Sequence, residues 1–184
     1  MASDSFVHLH VHSEYSMLDG AARIDAMVQE AARLEMPAIA VTDHGNTFAA
    51  FEFYKAAKNV GIKPIVGIEA YVTPGTHRSD KARVRWGSPE QSSDDVSGAG
   101  AYTHMTLLSE STEGMHNLFR LSSLASMEGY YFKPRMDREI LQKYAKGLIA
   151  TTGCPSGEIQ TRLRLGQYDA ARAAAAEFQD IFGK

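Results

Sequence analysis

Short apolar runs alternate with helical hydrophobic periods along almost the whole of this 184-residue chain, and run after run ends at a residue able to hold a metal ion. That alternation is the order expected of βα units around a parallel sheet or barrel. The first run, residues 6–12, predicts a strand whose alternation sets His10 and His12 on one face and Val11 on the other. His8 has the same parity one step deeper and reads as core or as support for the ligands. Ile24, Met27, Val28, Ala31 and Leu34 recur at helical spacing and predict a helix over residues 24–34, ended by Pro37. Residues 38–41 predict a short buried strand that closes in Thr42-Asp43-His44-Gly45.

Beyond it, Phe48, Phe51, Tyr54 and Ala57, spaced three apart, predict a second helix over residues 47–60, stopped by Gly61. A third strand, 64–72, carries Glu69, and a fourth, 102–108, carries His104. Residues 73–100 lie between them, rich in Ser, Asp, Gly and Pro and without a hydrophobic period, and they predict a long surface loop. Arg78, Lys81, Arg83, Arg85 and Trp86 give it cationic and stacking groups; it reads equally as a solvated insertion without a role. Helices over 112–127 and 138–144 precede a strand at 147–151 that ends at Thr152-Gly153-Cys154. Ala171, Ala175, Phe178 and Phe182 mark a last helix, with Gly183 at its C-cap.

Composition narrows the function. With 44% hydrophobic residues the chain can bury a core as one domain, and 19 Lys plus Arg against 22 Asp plus Glu leave a formal charge of −3. No overall basic field exists to hold nucleic acid, so any such contact is local or shared with other chain. The single cysteine excludes an internal disulfide, and neither a signal peptide nor a long apolar stretch is evident. A cytoplasmic protein without membrane contact is expected.

Seven residues carry the chemistry: His10, His12, Asp19, His44, Glu69, His104 and Cys154. Taken singly, Asp19 before Gly20 reads as a turn former and Cys154 as packing, His44 and His104 read equally as structural residues or as ligands, and the His10/His12 pair reads as ligands. Taken together at strand ends, where parallel βα barrels gather their active sites, they read as a multi-metal centre. Imidazole, carboxylate and thiolate suit zinc best, with manganese possible, and Glu69 can bridge two ions. Bound divalent ions lower the pKa of a coordinated water and steady an in-line displacement at phosphorus, so phosphoester hydrolysis is the expected reaction class. Asp43 is expected to orient a ligand histidine, and Lys133 and Arg135 to bind phosphate. His77 and His116 read as surface histidines.

Several strings carry a resemblance: FVHLHVHSEYSMLDG at 6–20, TDHG at 42–45, GIKPIVGIEAY at 61–71, YYFKPR at 130–135 and TTGCPSGE at 151–158. They resemble the polymerase and histidinol phosphatase (PHP) domain, and within it the branch at the N-terminus of the alpha subunit of bacterial replicative DNA polymerase III. The resemblance implies a distorted seven-stranded βα barrel, His10 and His12 on one ion, Asp19 and His44 on another, Glu69 as bridge, and His104 and Cys154 at a third position. It places Glu69 and His104 in the reaction itself, with up to three zinc ions. The family site uses nine residues, the last two from an Asp-x-His motif. None follows Cys154, so residues 1–184 are expected to form an incomplete PHP domain lacking the last barrel strands. The implied activity is a 3'-5' proofreading exonuclease of the full-length protein. Its partners are the DNA primer 3' end, the remaining polymerase domains and replisome subunits. The alternatives are a non-catalytic, metal-stabilised structural module and a stand-alone phosphatase.

Overall fold

The computed structural model of the chain describes residues 6–87 and 96–183. Helix α1 (Ile24–Arg33) leads into strand β1 (Ala38–Val41), and helix α2 (Ala50–Asn59) into strand β2 (Lys63–Val72). Strand β3 (Thr103–Ser109), helix α3 (Thr112–Glu128), and a hairpin of β4 (Tyr130–Tyr131) and β5 (Lys133–Met136) follow. Helix α4 (Arg138–Lys143), strand β6 (Leu148–Thr151) and helices α5 (Glu158–Arg164) and α6 (Tyr168–Phe182) complete the described chain. Two elements escaped the sequence reading, the β4–β5 hairpin and α5, both too short to show a period.

β2 is the axis of the sheet. Its first residues pair in parallel with β1, from Ala38 opposite Lys63 to Val41 opposite Val66, and its last two pair in parallel with β5. Its other edge takes β3 antiparallel, Gly67 opposite Leu108 through Val72 opposite Thr103, and β3 takes β6 antiparallel in turn. The fold is α/β as expected, but the sheet is mixed rather than all-parallel. A parallel connection needs a crossover, usually a helix. Between β2 and β3 the described residues supply only a 3-10 turn at Ser97–Gly100.

Residues 6–12 do not form the regular strand expected. They run extended beside β1, held where His8 O accepts from Ala40 N (2.9 Å) and Val11 O accepts from Thr42 N (2.8 Å). The Val11 N–H turns instead to the Thr42 side chain, at 2.8 Å, which interrupts the ladder. His8 is exposed, edge-on to Phe6, and belongs to neither core nor ligand shell.

Two apolar clusters hold these elements. Ile68, Val72, Leu107, Leu118, Leu121, Leu141 and Phe178 pack between the sheet and helices α3, α4 and α6. Ile24, Val28, Ile39, Val41, Phe53 and Ala57 pack α1 and α2 against β1. The face of α2 corrects the expected stripe: Ala50, Phe53 and Ala57 are buried, while Phe48 and Phe51 are each 75% exposed and Tyr54 is 50% exposed. A run spaced strictly by three drifts roughly 60° per step around a helix of 3.6 residues per turn, so Phe48 and Ala57 fall on opposite sides.

The stretch 73–100 has no α-helix or strand among its described residues, yet it is anchored; 88–95 lie outside the described residues. Trp86 is buried under the Arg162 guanidinium, 4.6 Å from the ring centroid, and so is an anchor rather than a free stacking group. Arg78 pairs with Glu128, Asp137 and Glu139 at 2.7 to 3.2 Å. Arg135 is 1% exposed and donates to the carbonyls of Arg78, Asp80, Ala101 and Gly129. No described helix is long and apolar enough to cross a membrane.

Replacing Phe53 by Ala is expected to cost about 3–5 kcal/mol of stability. Phe51→Ala is expected to change it by no more than about 0.5 kcal/mol. Urea denaturation of the two variants checks which face of α2 is the core.

Candidate metal centre

All seven side chains singled out in the sequence converge at one end of the sheet. His44 follows β1, Glu69 sits within β2, and Cys154 follows β6. His104 lies near the start of β3 rather than at a strand's end; because β3 runs antiparallel, its start lies beside the C-terminal half of β2, with His104 opposite Tyr71. The backbones of His44 and Glu69 also bridge: Gly45 N donates to Glu69 O at 2.9 Å and Glu69 N to Asp43 O at 3.0 Å.

Glu69 is the hub. Its Oε2 lies 3.3 Å from His10 Nε2, 2.7 Å from His12 Nε2 and 2.9 Å from His44 Nδ1. Its Oε1 lies 2.8 Å from His104 Nδ1 and accepts from Cys154 Sγ at 3.0 Å. Asp19 Oδ2 extends the cluster, 2.8 Å from His44 Nε2 and 3.4 Å from His12 Nδ1. Burial pushes the Glu69 carboxyl up, but His10, His104, His12 and His44 outweigh it and hold the group far below the usual carboxylate range. Desolvation pushes Asp19 up, but His44 and His12 together overcome it and lower the carboxyl, and His44 is raised chiefly by Glu69. Burial and then Glu69 push the Cys154 thiol up to about 12. A cation in the cluster reverses that preference and favours the thiolate.

Two of these contacts do not behave as ordinary hydrogen bonds. His12 Nε2, His44 Nδ1 and Glu69 Oε2 are buried and close to one another, yet none has a hydrogen-bond partner of acceptable geometry. Converging nitrogen and oxygen lone pairs repel unless a cation accepts them. Divalent ions held by these residues would satisfy the three atoms. The ligand atoms form three overlapping triads able to hold an ion: His10, His12 and Glu69; His12, Asp19 and His44; and His44, Glu69 and His104. The donor chemistry and the unpartnered atoms both fit metal.

Asp43 organises the ligand loops, but differently from the expectation. It touches no histidine ring. Its carboxylate accepts from Ser13 N, Ser13 Oγ and Ser16 Oγ, each at 2.7 Å, and Ser16 Oγ accepts from His44 N at 3.1 Å. The loop that carries Asp19 is thereby tied to the turn that carries His44. Gly20 closes this loop where a side chain cannot fit, since an added Cβ meets Ser13 O at 1.9 Å. Ser13 and Ser16 are the organising residues that the sequence reading missed; their only signal is their place between ligands.

Of the two expected phosphate contacts, Lys133 stands beside the cluster, its Nζ 5.5 Å from the centroid of Tyr71, whose ring stacks on His44 at 5.9 Å. Arg135 does not join it, because burial turns its guanidinium to four backbone carbonyls. A fourth group, His77, Asp137 and Glu139, surrounds the Arg78 guanidinium, which already supplies the positive charge there.

Residues 8–184 match the PHP domain family. The chain belongs to the PHP domain family. It is 62% identical over 190 residues to the DNA polymerase III subunit alpha of Saccharopolyspora erythraea, covering 100% of this chain and 16% of that protein. It is 58% identical over 183 residues to the subunit of the same name from Mycobacterium tuberculosis, covering 99% of this chain and 15% of that protein. The chain thus spans about one-sixth of the length of these relatives. Among solved structures, an amidohydrolase from Chromobacterium violaceum is similar, with a TM-score of 0.42 and 21% identity over 76% of this chain and 36% of that one.

Asp43→Asn is expected to lower metal affinity roughly 10- to 100-fold although Asp43 is not a ligand, because the carboxylate positions the loops on either side. Metal titration followed by calorimetry checks this. Unchanged affinity overturns the organising role.

Proposed function

We propose that this PHP domain is the metal-dependent phosphodiesterase module of a replicative DNA polymerase alpha subunit, and that it removes nucleotides from the 3' end of a primer as a proofreading exonuclease. The observation that carries the reading is the knot of unpartnered ligand atoms on His12, His44 and Glu69, each of which belongs to two of the three ligand triads. Similarity to polymerase alpha subunits over the whole chain supplies the context. His10, His12, Asp19, His44, Glu69, His104 and Cys154 are the proposed ligands, with Glu69 bridging.

Zinc suits this mixture of imidazole, carboxylate and thiol, and manganese is the alternative where oxygen ligands dominate. Such ions supply a nucleophile at neutral pH and neutralise charge on the phosphate. The chain's own part is to hold the ligands rigid through the Asp43 web and to steady the phosphate with Lys133. Glu69 and His104 lie closest to the reaction. The remaining polymerase domains deliver the DNA, which accounts for a domain with a formal charge of −3 acting on a polyanion.

A second reading has its own support. The ligands come from the extended N-terminal segment, the turn after β1, β2, β3 and the turn after β6, so bound metal braces most of the sheet whether or not it turns over substrate. One experiment separates the two. The full-length protein is expected to release nucleoside 5'-monophosphates from a mismatched primer, and His12→Ala or Glu69→Gln to lower that rate about 100-fold or more. Retained metal, chelator-sensitive melting and no nucleotide release by the unsubstituted protein select the bracing role instead.

A further inference from the structure

The β4–β5 hairpin holds an aromatic that stays mostly exposed although the Tyr131 ring, 4.6 Å away between centroids, and the Arg83 guanidinium contact it. Phe132 stands alone between the paired residues Tyr131 and Lys133, with φ of 61° and 60% of its surface exposed. A positive φ is costly for a bulky L-residue, and glycine takes it freely. Exposure returns little burial energy to offset that cost. Strain kept for an exposed aromatic points to a use for the ring.

The surroundings define that use. The Arg83 guanidinium lies 5.3 Å from the Phe132 centroid, and the extended segment that delivers it also exposes Lys81 and Arg85. Lys133, the next residue, reaches over Tyr71, which stacks on His44 and meets His104 edge-on at 5.0 Å. Pro134 locks the hairpin onto the ligand turn: an added Cβ at Gly45 meets both Tyr71 and Pro134 within 2.9 Å. An exposed ring, a cation over it, a second on the next residue and a fixed stem beside metal ligands match what an extended nucleotide strand requires. Its bases offer a π face whatever their identity, and its phosphates need nearby positive charge.

We propose that Phe132 is a stacking platform for the unpaired base of a terminal nucleotide, flanked by Arg83 and Lys133 as phosphate contacts, and that it positions a single-stranded nucleic-acid end at the metal centre. This rests on the nuclease reading and adds selectivity to it. A paired base has its faces covered by its neighbours in the duplex and cannot lie on the ring, so the platform favours frayed or mismatched ends. Phe132 acts as a positioning residue and touches no reacting atom.

The test uses the intact polypeptide that contains this domain and an oligonucleotide with 5-iododeoxyuridine at its 3' end, photo-cross-linked and mapped by peptide mass spectrometry. The adduct is expected on Phe132, is lost in Phe132→Gly and is retained in Phe132→Trp. Because glycine relieves the strained φ, Phe132→Gly is expected to melt at the same temperature or higher. The same variant raises KM for a single-stranded substrate roughly ten-fold with kcat little changed. An adduct that survives in Phe132→Gly, maps outside the hairpin or does not form overturns the assignment. A clear fall in melting temperature makes Phe132 a structural prop and overturns it as well. Cross-linking needs no hydrolysis, so failure of the nuclease reading, seen as no nucleotide release by the unsubstituted protein, is distinguishable from failure of the platform.

Discussion

A carboxylate that is 2% exposed, ringed by four imidazoles and a thiol, is the constraint on which the rest of this structure depends. Burying a charge is expensive unless it is compensated: Glu69 Oε1 meets His104 and Cys154, while Oε2 faces His10, His12 and His44 without a hydrogen bond, so its compensation calls for a cation. Its neighbours Ile68 and Ala70 are both 0% exposed and face the opposite side of β2, in the apolar core. A slip of one residue along β2 exchanges the two faces, placing the carboxylate among leucines and an isoleucine among histidines. Hydrophobic burial and ligand convergence therefore demand the same register, and each enforces the other.

That register extends beyond β2 through the Asp43 web. Asp43 is 1% exposed and Ser13 is 0% exposed, so their hydrogen bonds face little competition from water. The loop 13–20 has no regular secondary structure of length, and Asp43 holds its backbone beside the His44 turn while the direct Asp19 Oδ2–His44 Nε2 contact of 2.8 Å completes the link. Precision at the centre is achieved by a second layer of short polar contacts, which is the usual means of orienting metal ligands.

The legible part of the sequence was the part governed by local period and residue chemistry. α1 and α6 follow from helical spacing, and the ligand set follows from residue types at the ends of apolar runs. What escaped was set by long-range contacts. The reversal of β3 depends on how the chain returns after β2. The burial of Arg135 depends on carbonyls from Arg78 to Gly129, contributed by three separate segments. Phe48, Phe51 and Tyr54 misled because spacing by three resembles a helix face over one turn and departs from it over three. The sequence motif YYFKPR was recognised as a unit, yet its cations divide between two environments. Lys133 points to the rim of the centre and Arg135 to the interior.

The electrostatics of the centre then set a condition on any anionic substrate. Glu69 and Asp19 make the ligand cluster acidic, and a phosphate approaching them is repelled while their charges stand uncompensated. Cations far across the surface cannot correct this, because at physiological ionic strength screening acts over about 8 Å. Compensation has to be local, either from ions held by the cluster itself or from groups at its edge such as Lys133 over Tyr71. In a chain with a formal charge of −3, attraction of a phosphodiester is therefore tied to occupancy of the same ligands that Glu69 gathers. For a phosphate-bearing substrate, binding would thus be coupled to metal occupancy by charge alone, before any chemistry.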